Sequence, residues 1–223
     1  MNQALQVPQT IKEAIEKHEI VPDVFSTDFN TSNLPNSLLT VEYPGELGVT
    51  MGNVLPLNKV QQAPDFQCLA IPSTETNFEI DLHEVYTLIM TDPDAPSRKD
   101  HKWSEYCHWI ITGLTAEKAN AQINVIKKNS TKKGELDQEI ATARELVPYT
   151  PPAPPKGTGP HRYVFALFKG ALNGSSSDNL IKQINENRAN WGYNMPTAGV
   201  EKFANDHGGL ELLAVNFFFC EQK

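Results

Sequence analysis

The sequence predicts a mainly β protein, with a largely antiparallel core and a few helices at its periphery. Three observations carry this. Six short runs are rich in Val, Ile, Phe and Tyr, and turn residues bound most of them. Their spacing is irregular, and no helical pattern follows each run, which argues against a doubly wound parallel sheet. Apolar residues at helical spacing occur in only a few segments.

Taken in chain order, Met1 to Val7 has no periodic pattern, and Pro8 suits the first turn of a helix. Ile11, Ala14 and Ile15 form an apolar stripe that stops before Pro22, so a short, rather polar surface helix is expected. Strands are expected at Leu38–Tyr43, Phe66–Ile71, Val85–Thr91 and Cys107–Thr112. Thr115–Lys128 carries a weak helical period, and Asn129–Glu139 reads as a polar, solvated loop. A Pro cluster over 148–155 precedes the strand Tyr163–Lys169. Ser177–Arg188 reads as a helix with Leu180, Ile181 and Ile184 on one face. Ala198–His207 reads as another, ended by Gly208-Gly209, before a last strand at Leu212–Phe219. The chain has no internal repeats.

With 223 residues, the chain is long enough to bury a substantial core in one large domain. Charged residues make up 21% and apolar residues 39%, a globular rather than a disordered balance. The formal net charge of −8 repels nucleic acid and anionic surfaces at long range, so no nucleic-acid partner is expected. Any anionic ligand must then be held by local geometry. Cys68, Cys107 and Cys220 are odd in number and far apart, which suits buried, reduced thiols in a cytoplasmic setting. No secretory signal and no apolar run of ~20 residues is present, so no transmembrane segment is expected. The sequons at Asn30, Asn129 and Asn173 are expected to be silent.

Two segments carry the chemistry: Asp92-Pro93-Asp94-Ala95-Pro96-Ser97, and Pro151-Pro152-Ala153-Pro154-Pro155-Lys156-Gly157-Thr158-Gly159-Pro160-His161-Arg162-Tyr163. Each adjoins a strand, and stiff Pro-rich loops at strand ends hold polar side chains near solvent. Asp92 and Asp94 point the same way if the strand continues through them. With His108 and His161 they are expected to line one pocket. Imidazoles and loop N–H groups donate to phosphate oxygens, with the Asp residues orienting them. No nucleophile accompanies the four, so a binding site is favoured over an active site. Histidines and cysteines lack ligand spacing, and neither a metal nor a cofactor is expected.

These two segments, in this order and with Cys107-His108 between them, resemble the signatures of the phosphatidylethanolamine-binding protein family. The similarity runs from about Val24 to Phe219. Asp100-His101-Lys102-Trp103-Ser104-Glu105, Asn190-Trp191-Gly192-Tyr193 and Asn216-Phe217-Phe218 resemble its fungal branch of carboxypeptidase Y inhibitors, as does the opening Met1-Asn2-Gln3-Ala4. The resemblance implies a large antiparallel β-sheet core, a second small sheet and peripheral helices. It implies an anion pocket at Asp92, Asp94, Trp103, His108, Pro155, Lys156, Gly157, Gly159, His161 and Tyr163. Phosphate, phosphorylethanolamine or anionic phospholipid head groups are its expected ligands. It also implies cis bonds at Ala95-Pro96 and Ser104-Glu105. Ala153 stands where many members carry Gly, and Phe217-Phe218-Phe219 stands where members commonly offer a Tyr hydroxyl.

The function so implied is non-enzymatic: inhibition of a vacuolar serine carboxypeptidase through an acetylated segment of Met1, Asn2, Gln3, Ala4, Leu5, Gln6 and Val7. Residues 1–23 would be the inhibitory tail and surface helix, and 24–223 the binding domain. The expected compartments are the cytoplasm and the vacuole. The alternative is a module for phospholipid head groups or phosphoproteins that regulates kinase or Ras signalling. A hydrolase using the Asp and His cluster is the third reading.

Overall fold

In the computed structural model, the described residues are 6–29, 36–71, 78–121, 123–128, 132–133, 139–141, 143–172, 175–207 and 210–223. Among the described residues there are four α-helices: α1 (Gln6–Lys17), α2 (Ile20–Asp23), α3 (Ser175–Glu186) and α4 (Val200–Asp206). The strands are β1 (Ser37–Tyr43), β2 (Leu47–Val49), β3 (Asn53–Val54), β4 (Asp65–Ala70), β5 (Val85–Asp92) and β6 (Tyr106–Lys118). They continue with β7 (Asn124–Lys127), β8 (Lys132–Lys133), β9 (Glu139–Ala141), β10 (Arg144–Val147), β11 (His161–Lys169) and β12 (Glu211–Cys220).

One ten-stranded sheet runs in the order β2-β1-β4-β7-β6-β5-β11-β12-β3, with β10 added along β6. Its pairs are antiparallel except β12 with β3, which is parallel. A second small sheet pairs β8 with β9. The sheet curls until its far ends meet. Asn216 on β12 donates Nδ2–H to the carbonyls of Leu39 on β1 (2.8 Å) and Val49 on β2 (3.0 Å).

Burial follows the two-residue period of the strands. Along β11, Tyr163, Phe165 and Leu167 enter one apolar cluster, inside the curl. Val164, Ala166 and Phe168 enter a second cluster, under the helices. A strand covered on both faces needs apolar residues at nearly every position, and the run Tyr163–Phe168 supplies them. Full burial of Phe168 alone is worth ~1.5–3 kcal/mol. On β1, at the rim, the faces differ: Leu39, Val41 and Tyr43 are buried, while Leu38 and Glu42 are exposed.

All six expected strands are present, five of them extended at one or both ends and Phe66–Ile71 shifted by one residue to Asp65–Ala70. Helix α1 docks Ile11 and Ile15, one turn apart, into the cluster under the helices. It begins at Gln6, before Pro8, whose missing N–H falls among the unpaired donors of the first turn. Thus Gln6 and Val7 are helical, and Met1 to Leu5 lie outside the described residues. The glycines 208 and 209 expected to end α4, and the three sequon asparagines, lie outside them too.

One expectation fails. Thr115–Lys128 is not a helix but the end of β6, a turn, and β7. Ala116 pairs with Ile126, and β7 in turn pairs with β4. Ala119 N–H closes the turn on the Ile123 carbonyl at 2.8 Å. Helix-favouring Ala, Glu and Lys in this stretch lose to the burial of Leu114, Val125 and Ile126. The polar stretch Asn129–Glu139 likewise includes β8 and the first residue of β9 rather than loop alone.

Candidate functional site

Strands β5, β6 and β11 lie side by side, which brings Asp92, His108 and His161 together from distant parts of the chain. Asp92 ends β5, and its Oδ2 accepts from His161 Nδ1 at 2.8 Å. Its Oδ1 accepts the Asp94 N–H at 2.7 Å, a turn local to the Asp-Pro-Asp sequence. His108 Nδ1–H donates to the Thr150 carbonyl at 2.7 Å. All three side chains are nearly fully buried. The Tyr163 ring stacks on His161 at 6.4 Å and meets His108 edge-on at 5.2 Å. Phe218 stacks beneath Tyr163 at 5.3 Å. Phe218, in the strand where family members commonly offer a Tyr hydroxyl, thus brings a phenyl ring against Tyr163.

The loop before β11 covers His161. Thr158 donates its hydroxyl to the Pro155 carbonyl at 2.7 Å, and the same oxygen lies 2.9 Å from His161 Nε2. Gly157 and Gly159 both have positive φ, near 80°, with open space where a Cβ would project. They are needed for conformation, not for room. Lys156 and Gly157 stand exposed at the tip of the loop.

Electrostatics separate the cluster members. Burial lowers the pKa of His108, against the opposing charge of Asp92 and its hydrogen bond to Thr150. Burial pushes the Tyr163 phenol far above its ordinary range, with Asp92 adding to the effect. Glu105, fully buried behind the cluster, is pushed up to about 8, first by burial, with the Asp92 charge also raising it.

Asp94 is not part of the Asp92, His108 and His161 cluster. It is fully buried against Arg162, with Oδ2 accepting from Nε at 2.9 Å and Oδ1 from Nη2 at 2.7 Å. Strand β5 stops at Asp92, so the shared side expected of Asp92 and Asp94 is lost at the Pro93 turn. Trp103 stands at the surface, 44% exposed, with Lys102 Nζ 4.9 Å from its ring. It is not part of the buried cluster. Among the described residues, no three His, Cys, Asp or Glu side chains meet at metal-binding geometry. The bonds Ala95-Pro96 and Ser104-Glu105 are both cis, as the resemblance implies, and so is Val21-Pro22.

Sequence reading missed three residues here. Thr158 lies inside the motif, only three residues from His161, and its hydroxyl was the available signal. Tyr106, whose ring lies 5.0 Å from that of His108, is two residues along the same strand and so on the same face. Arg188 reaches the Cys107 and His108 carbonyls from after α3, and no local pattern marks it.

A groove of about 670 Å³ lies along β1, β2 and β4. Glu42, Asp65, Glu117, Lys127 and Lys128 line it with mixed charge. It lacks buried polar groups converging on one point, so the Asp-His cluster is the stronger candidate.

The fold is a large, nearly closed β sheet with a strand-end Asp-His pair under a Pro- and Gly-rich loop. The family model "PBP: Phosphatidylethanolamine-binding protein" matches residues 46–218. The chain belongs to the phosphatidylethanolamine-binding protein family. It is 39% identical to the carboxypeptidase Y inhibitor of Saccharomyces cerevisiae, over all of both chains. An uncharacterized protein of the same yeast is 34% identical over 82% of this chain and 81% of its own. Among solved structures, that of carboxypeptidase Y inhibitor in complex with its cognate proteinase matches over all of both chains, with TM-score 0.79. A phosphatidylethanolamine-binding protein from Plasmodium vivax shares the fold, with TM-score 0.65 at 21% identity over 95% of this chain and 97% of its own. No helix among the described residues is long and apolar enough to cross a membrane.

Proposed function

We propose that this chain is a non-enzymatic inhibitor of a serine carboxypeptidase of the carboxypeptidase Y type, acting through an acetylated N-terminal segment. The observation that carries this reading is the end-to-end similarity to a carboxypeptidase Y inhibitor, which extends through the N-terminal segment and α1. The chemistry is consistent. A carboxypeptidase recognises a free C-terminal carboxylate, so a chain entering N-terminus first presents no normal scissile bond. Met1 offers a flexible apolar side chain to an irregular subsite. Acetylation removes an ammonium that is costly to bury unpaired. Because α1 starts at Gln6, the arm ahead of it is Met1 to Leu5, which reaches ~17 Å if extended. In the same reading, phosphate or phosphorylethanolamine binds apart from the arm, at Asp92, His108 and His161 under Lys156–Gly159.

Titration of carboxypeptidase Y with three forms tests this: acetylated full-length protein, the same protein with a free α-amine, and a Met1–Val7 deletion. The two altered forms should raise the inhibition constant by orders of magnitude while phosphorylethanolamine still binds. Equal inhibition by the deleted form, or none by any form, sinks the proposal. The Asp92-His161 pair favours a second reading, a phospholipid or phosphoprotein module in kinase or Ras signalling. That reading would then stand alone.

A further inference from the structure

The functional reading above leaves a fully buried cation, Arg162, without a role. All five of its guanidinium N–H donors have acceptors. Two go to Asp94, through Nε (2.9 Å) and Nη2 (2.7 Å). The other three leave the sheet. Nη1 donates to the carbonyls of His18 and Glu19, both at 2.9 Å, and Nη2 donates to Asp23 Oδ2 at 2.8 Å. Burial alone would weaken the cation, but hydrogen bonds and charge from Asp94 and Asp23 outweigh it and hold the pKa above its ordinary value.

Those two carbonyls sit where the chain leaves α1. A helix ends with unpaired carbonyls and a partial negative charge, and a cation placed there satisfies both. The segment is pinned further. Glu19 turns the chain at φ 56° and pairs with Arg98, which itself approaches Asp94 at 3.8 Å. The His18 ring packs between Phe217 and Phe219, 5.4 Å from each. The exit of α1 is thus fixed to the signature loop, while its other end carries the inhibitory arm. Twelve residues of helix span ~18 Å, so a 10° swing about the pinned end moves the start of the arm by ~3 Å. An arm that must thread an enzyme cleft tolerates little misplacement.

We infer that Arg162 is a positioning residue for the inhibitory arm: it carries the geometry of the Asp94 turn to the exit of α1 and so sets where the arm leaves the domain. This rests on the reading that the N-terminal segment inhibits. Arg162 is suited to the task where Lys is not, because a planar fork can hold both sides at once.

The test uses acetylated full-length protein with a nitroxide label at K12C, on the exposed face of α1 and outside the inhibitory segment; the native cysteines are buried. Asp23→Ala removes only the half-exposed helix-side carboxylate and should leave the fold intact. Arg162→Lys keeps the charge and loses the fork, and Asp23→Glu restores the carboxylate. Asp23→Ala should raise the inhibition constant for carboxypeptidase Y several-fold and Arg162→Lys tenfold or more. Label mobility should increase in the same order, with Tm of Asp23→Ala nearly unchanged and Asp23→Glu close to wild type. Wild-type inhibition by both Asp23→Ala and Arg162→Lys, while a Met1–Val7 deletion has lost it, overturns the proposal. So does lost inhibition with an unmoved label. If the deletion inhibits as well as the full chain, the functional reading fails instead, and the label alone decides whether Arg162 fixes α1.

Discussion

His108 commits Nδ1–H to the Thr150 carbonyl, which leaves Nε2 as the ring's other nitrogen for a ligand. Burial holds its pKa below 6.5, against Asp92, with Arg188 and His161 lowering it further. An anion at Nε2 favours the imidazolium, so anion binding draws in a proton. Affinity should therefore rise as pH falls below 6.5. Sulfate is the useful probe, because its charge is constant over this range. Calorimetry should show tighter sulfate binding at pH 5 than at pH 7.5, and His108→Gln should flatten the difference. His161→Ala should weaken binding about tenfold at either pH, the worth of one charge-assisted hydrogen bond, where the anion takes the place of Thr158 at Nε2. Equal wild-type affinity at both pH values would remove His108 from the anion site. At this scale Asp92 and His161 were legible because a short motif places each at a strand end. The partner of Asp94 was not. His161 and Arg162 are neighbours in sequence but leave β11 on opposite faces. Only the fold shows which carboxylate each one meets.

Between strand β6 and helix α4 lies a tight contact. The Glu105 carboxyl accepts the Val200 N–H at 3.2 Å and lies directly against Gly199. A Cβ on Gly199 would fall 1.7 Å from Glu105 Oε1 and 2.1 Å from Cδ. The backbone of Gly199 is extended (φ −158°), so space, not conformation, requires glycine there. Gly199→Ala should cost ~1–3 kcal/mol in urea unfolding, as overpacking of a filled site does. The same carboxyl makes stability depend on pH. Its folded pKa is raised to about 8 from 4.5, chiefly by burial. The stabilisation is therefore complete below pH 4.5 and is lost as pH rises toward 8. The slope from this group is at most ~1.4 kcal/mol per pH unit. Unfolding at pH 5 and pH 8 should show the decline in wild type and a weaker one in Glu105→Gln; identical slopes would contradict the assignment. Elements with strong apolar runs were legible in sequence. The β6–β7 hairpin was not, because its Ala-, Glu- and Lys-containing turn mimics a helix while its burial comes from β4.

For the molecule as a whole, Asn216 decides whether the sheet stays closed. Besides its two Nδ2 donations, its Oδ1 accepts from Met51 N–H (3.0 Å) and Phe217 N–H (2.8 Å). Four hydrogen bonds thus join β12, β1, β2 and the turn between β2 and β3 through one buried amide. Asn216→Leu would strand two buried carbonyls and should cost ~2–5 kcal/mol. Chemical denaturation measures this, and a loss under ~0.5 kcal/mol would show that apolar packing alone closes the sheet. The net charge of −8 also acts at this scale. It opposes anions at a distance, which leaves the buried imidazoles and loop N–H groups to hold any phosphate that binds.

The sequence by itself determined the β class, the core strands, the terminal helices and the two loops that bear the Asp-His pair. These follow from local patterns: apolar runs, turn residues and motif spacing. Tertiary structure alone decided that Asp94 faces Arg162, that Glu105 is buried against Gly199, and that the exit of α1 is tied to the signature turn. Each joins residues more than sixty positions apart, or fixes the environment of one residue by burial among others. Such pairings depend on strand order and on the face from which a side chain leaves its strand, which no local pattern encodes.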